Sequence, residues 1–132
     1  MKTNLDSIFK TDTTLESDGV WFTISADTSF CLRRFGGNNA KKVQIAMAKH
    51  HKPHARLIEA NALPLEEVNK IMAKVIADSC VVDWKGVVID GQEVPCNLEN
   101  AVKLFCALPE LFNKLFEMIS GSESFKEDLG NS

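Results

Sequence analysis

Apolar residues recur at two spacings along this chain, and the change of spacing divides it. From Ala40 to Ser120 the period is mostly helical. Val68, Ile71, Met72, Val75 and Ile76 fall on one face of a helix. Pro64 suits the first turn of that helix, and Glu66-Glu67 complement its positive end, so the segment from Pro64 to about Ser79 is predicted helical. An earlier helix runs from about Ala40 to His51. Pro53 ends or kinks it, and His54 to Ala60 continue at a bend. Ala101, Val102, Leu104, Phe105 and Leu108 mark a helix over Leu98–Leu108. Pro109 breaks that helix and opens another, on which Leu111, Phe112, Leu115, Phe116 and Ile119 form a stripe, with Gly121 as its C-cap.

Ahead of these helices, and once between them, the pattern is β-like. Val20–Ser25 and Phe30–Phe35 are short, aromatic and β-branched, and the turn-like Ala26–Ser29 between them predicts a hairpin. Gly36-Gly37-Asn38-Asn39 ends it, and either Asn can cap the next helix. Asp90-Gly91 lies between an apolar run and a partly alternating one, and supplies the positive φ that a two-residue hairpin turn needs. Pro95 then stops pairing and Asn97 caps the following helix. Residues 1–18 are rich in Thr, Asp, Ser and Lys and read as a flexible N-terminal arm. Residues 122–132 read as a polar tail in which Phe125 and Leu129 can dock as one weak turn. The fold class is therefore mainly α: one small helical domain over residues 19–121 with one or two short β-hairpins.

Composition narrows the function classes. The chain has 132 residues, 45% of them apolar, which suits one modest core, and a net charge of −3 that dictates no partner of either sign. No apolar run is long enough to cross a bilayer, and the polar start lacks the apolar h-region of a secretory signal. Cys31, Cys80, Cys96 and Cys106 form no C-x-x-C pair and sit among apolar neighbours, as reduced, buried thiols of a cytosolic protein do.

The candidate chemistry is sparse. His50 and His54 share a helical spacing that zinc sites use, but Pro53 disturbs it and no Cys or carboxylate is near in sequence; no metal or cofactor is expected. Arg33, Arg34, Lys41, Lys42, Lys49, Lys52 and Arg56 form a basic block with no acid between Asp27 and Glu59. Lys41, Lys42, Lys49 and Arg56 are a candidate partner surface, and binding of nucleic acid through the block is the alternative function. The block lacks the interleaved aromatics of a single-strand binder. The Gly36–Asn39 stretch has neither a P-loop Lys-Ser/Thr pair nor a dinucleotide fingerprint, and reads as a turn. Ser25, Ser29 and Ser79 lack a nucleophile elbow and Cys80 a partner base, so no enzyme is expected. What remains is the apolar crowding of the last two helices, where Leu104, Phe105, Leu108, Phe112, Leu115 and Phe116 are the candidate residues of a groove for a partner helix or sister subunit.

Asp83-Trp84-Lys85-Gly86-Val87, Asp90-Gly91, Val94-Pro95, Glu99-Asn100-Ala101, Leu108-Pro109-Glu110-Leu111 and Phe125, in that order, resemble the tail assembly chaperones of long-tailed bacteriophages over about Val81 to Phe125. The resemblance implies a non-enzymatic assembly factor of the host bacterial cytoplasm that is absent from the mature virion. Such proteins bind the hydrophobic, helical tape measure protein and keep it soluble while major tail protein polymerises around it. A longer product of ribosomal frameshifting recruits the major tail protein, and Leu129-Gly130-Asn131 permits a slippery codon run for it. Several copies would have to coat so long a client, each contributing weakly, so a homo-oligomer is expected.

Overall fold

The computed structural model describes Lys2 and residues 4–126. Two short helices come first, α1 (Leu5–Phe9) and α2 (Thr13–Asp18). The hairpin of β1 (Val20–Thr23) and β2 (Ser29–Leu32) follows, then a 3-10 turn over Gly37–Asn39 that leads into α3 (Ala40–His51). Pro53 sits in a second 3-10 turn that bends the chain into α4 (Ala55–Glu59), and Pro64 precedes α5 (Leu65–Ser79). β3 (Val81–Lys85) and the small hairpin of β4 (Val88–Ile89) and β5 (Gln92–Glu93) lead to α6 (Leu98–Ala107) and α7 (Pro109–Ser120). The protein is mainly α with short antiparallel strands, as its periodicity predicts.

Two sequence features act where they were placed. Asp90 (φ 52°) and Gly91 (φ 79°) both take positive φ in the β4–β5 turn. The Asn97 side chain accepts from the Asn100 amide at 2.8 Å and caps α6. The larger sheet is less local. Its order is β1-β2-β3, so the strand after α5 pairs with the inner strand of the N-terminal hairpin, Phe30 opposite Trp84. Those two rings meet edge to face at 5.9 Å, and Trp84 Nε1 donates to the Val94 carbonyl at 2.9 Å, which ties the small hairpin onto the sheet. Gly86 lets this happen: its φ is +71°, and a Cβ there would overlap the Asp27 carbonyl at the tip of the first hairpin.

The core joins sheet and helices. α5 lies between α3 and α6 and buries Ile71, Ala73, Val75, Ile76 and Ala77. Phe30, Leu32, Trp84, Ala101, Leu104, Phe105, Leu115 and Ile119 close around it.

Three expectations need correction. The stretch from Asp12 to Asp18 is not a loose arm. It forms α2, capped by the Asp12 carboxylate on the Thr14 and Leu15 amides, with Glu16 only 2% exposed. Neither Asn38 nor Asn39 caps α3 through its side chain. Asn39 is buried instead, and its Nδ2 donates to the carbonyls of Arg34 at 2.9 Å and Ser79 at 3.0 Å. Phe125 docks in a turn as expected, over Glu123–Phe125, but more firmly than a weak contact: it is fully enclosed against Phe22, and its carbonyl accepts from the Asp12 amide at 2.8 Å, so this part of the tail is integral to the core. Gly121 is the C-cap of α7, as expected, with an extended backbone at φ −97° and ψ 178°. Leu129 and the Leu129–Asn131 codons lie outside the described residues.

Glu16 explains the Gly-rich turn. Its carboxylate accepts from Arg34 Nη1 and from the Asn38 amide, so the loop cradles an anion belonging to the chain itself. Gly37 (φ +51°) is required there, since a Cβ would overlap that carboxylate.

Two stability outcomes follow. Arg34→Met strands a buried carboxylate and is expected to cost about 3 kcal/mol in urea unfolding; a loss below about 0.5 kcal/mol, the range of neutral surface changes, contradicts this account of the turn. Phe125→Ala is expected to cost about 3–5 kcal/mol, as for a ring deleted from a core, and a freely solvated tail would give no change.

Candidate functional site: an apolar groove between three helices

The α5, α6 and α7 helices do not close on one another completely. A groove of about 740 Å³ runs between them, lined by Met72 and Ala73 of α5, Phe105 and Cys106 of α6, and Pro109, Phe112 and Phe116 of α7. Its polar edge carries Glu66, Glu67, Asn69, Lys70 and Asn113. Pro109 opens it: α6 ends at Ala107, Leu108 takes φ −127° and ψ 76°, and the proline restarts the helix at a new angle. The floor is aromatic and ordered. Phe105 and Phe112 lie 5.4 Å apart, Phe112 and Phe116 stack at 6.3 Å, and Phe116 meets Phe35 edge to face at 5.2 Å. The ring series therefore runs from the groove into the core.

The six apolar candidates split. Leu104, Phe105 and Leu115 are buried, at 6%, 3% and 1% exposure, and serve the core, although the Phe105 ring also floors the groove. Phe112 and Phe116 are half-buried in the groove, and Leu108 beside it is 49% exposed. A helical stripe cannot reveal how many neighbours will cover it, so core and groove residues look alike in sequence. The opposite wall, Glu66 to Ala73, was missed, because the apolar face of α5 reads as core alone. No local signal in the sequence separates Met72 from the buried Ile71, Val75 and Ile76 of the same stripe.

Part of the basic block is paired within the chain. Arg34 pairs with Glu16, Arg33 Nε donates to the Ser17 carbonyl at 2.7 Å, and Lys49 Nζ lies 3.5 Å from Asp78. Lys41, Lys42 and Arg56 are exposed. One of the three histidines meets a carboxylate that is remote in sequence: His50 Nε2 is 2.9 Å from Asp78 Oδ2. Among the described residues no three His, Cys, Asp or Glu side chains converge to hold a metal ion, and no helix is long and apolar enough to cross a membrane.

The cysteines correct one expectation. Cys31 and Cys80 are buried and Cys96 half-buried, but Cys106 is exposed on the groove. Burial pushes the Cys80 and Cys96 thiols up to about 11, for Cys80 against the opposing influence of the adjacent Ser79 hydroxyl.

Residues 38–129 match the family model described as YdaY prophage protein. The chain belongs to that family. It is thus a phage-derived protein, and the matched span holds α3 through α7 with the whole of the groove. No curated protein and no solved structure matches it.

Thiol labelling reads this arrangement. In dilute protein at pH 8, Cys106 is expected to react with maleimide first. Cys80 and Cys96 stay protonated there, and their labelling accelerates only as pH rises through about 11. Because the folded Cys80 value lies above its unfolded value of 9.0, its contribution to stability is complete below pH 9 and is lost as pH climbs through about 11. Equal labelling of all four thiols at pH 8 contradicts the assigned burial.

Proposed function

We propose that this member of the prophage family is a non-enzymatic tail assembly chaperone, whose groove between α5, α6 and α7 takes an apolar helix of the tape measure protein. The groove carries this reading: an aromatic floor with a polar edge is the form in which amphipathic helices are held, through side chains at i, i+3, i+4 and i+7. The prophage family and the sequence resemblance supply the context. Apolar burial contributes roughly 25 cal/mol per Å² before the costs of association, so a small groove binds weakly. Weak binding by several copies suits a factor that must leave as major tail protein polymerises. In this scheme the protein works in the host cytoplasm, stays out of the mature virion, and meets the major tail protein through a longer frameshifted form.

Co-expression with the adjacent long helical reading frame tests the proposal. That client is expected to be soluble only with this chain, with Cys106 protected from maleimide in the complex. Phe112→Ala, checked for retained helicity, is expected to weaken capture by about tenfold or more, as truncating an aromatic anchor does. A client equally soluble alone, or a Cys106 that labels at its free rate in the complex, refutes it.

A further inference from the structure

The first helix is the least explained element of the molecule. α1 spans five residues, Leu5–Phe9, and buries none of them. Leu5, Ile8 and Phe9, at i, i+3 and i+4, make one apolar face, and they are 63%, 42% and 69% exposed. Isolated helices shorter than about 12–15 residues are marginal in water, so α1 needs a surface to lie on. The groove between α5, α6 and α7 is a surface that needs covering.

Their charges match. Lys2 and Lys10 flank α1 and Asp6 lies within it, while the groove edge offers Glu66, Glu67 and Lys70. In its own molecule α1 leaves this face exposed, and no α1 residue lines the groove. The groove is thus open to α1 of a second copy, whose charges suit its edge.

We infer that α1 of one copy docks its Leu5–Ile8–Phe9 face into the α5–α6–α7 groove of another, capping the groove until a client helix displaces it. The inference rests on the groove accepting an apolar helix, as the proposed function does, but not on the identity of the client.

The experiment uses the full chain, with sedimentation for mass and Cys106 alkylation for groove occupancy. Wild type is expected to associate as concentration rises, with Cys106 labelling slowed about fourfold when the total concentration of copies is about ten times the dissociation constant. Leu5→Asp with Phe9→Asp, both at exposed positions, is expected to keep the protein monomeric with Cys106 reactive throughout, and a synthetic peptide of residues 2–12 is expected to restore protection. An oligomer that survives the double substitution overturns the inference. So does a monomeric wild type, or protection that is independent of concentration, which would place α1 in its own groove. If the co-expressed client shields Cys106 while α1 changes neither mass nor labelling, the inference falls and the chaperone reading stands. If α1 behaves as stated and the client does not, the inference stands and that reading falls.

Discussion

The fold hangs on a buried polar joint where α5 ends. The Cys80 carbonyl accepts from the Arg33 amide at 2.7 Å, and the Asn39 amide group bridges the carbonyls of Arg34 and Ser79. Ser79 turns its own hydroxyl back to the Val75 carbonyl at 2.7 Å. One point thereby fixes the exit of the first hairpin, the entry to α3 and the end of α5. Asn39, Ser79 and Cys80 are shut away from water, where an unmade hydrogen bond costs about 1–3 kcal/mol, so the joint tolerates few alternatives. From it β3 leaves in register with β2, and α5 is held at the angle that makes it a wall of the groove. The Glu16–Arg34 pair sits directly beside it and binds α2 to the same place.

The helices were legible because proline, capping residues and apolar spacing are local signals. Pro53, Pro64 and Pro109 each mark a boundary, and Asn97 and Asp90-Gly91 act as their chemistry suggests. What escaped the sequence is what long separations build. The pairing of Phe30 with Trp84 spans more than fifty residues, and nothing near either residue announces the other. Glu16 looks like one more charge in a polar stretch until Arg34 and the Asn38 amide surround it. The same limit applies to the site. Phe112 and Phe116 could be named as apolar surface, but Leu115 beside them is core, and the helix that faces them across the groove is remote in sequence. Within the basic run, Arg33, Arg34 and Lys49 have partners remote in sequence, which no neighbouring residue announces.

The family match begins at residue 38, yet the sheet that roofs the core takes its central strand from Ser29–Leu32, ahead of that point. The matched segment thus holds the groove, while the unmatched one holds the central strand of the sheet and the Glu16–Arg34 ion pair. Site and support are carried by different stretches of chain, joined at Asn39.

The ring series from Phe112 through Phe116 to Phe35 has a further meaning. The same aromatic groups that could greet an occupant also form the outer layer of the hydrophobic interior, so altering them changes recognition and folding together. Selection for a new guest would therefore act with least penalty on the border positions Asn69, Lys70 and Asn113, leaving the phenylalanines in place. Relatives whose grooves hold different occupants would differ in the frame around the opening and share its base.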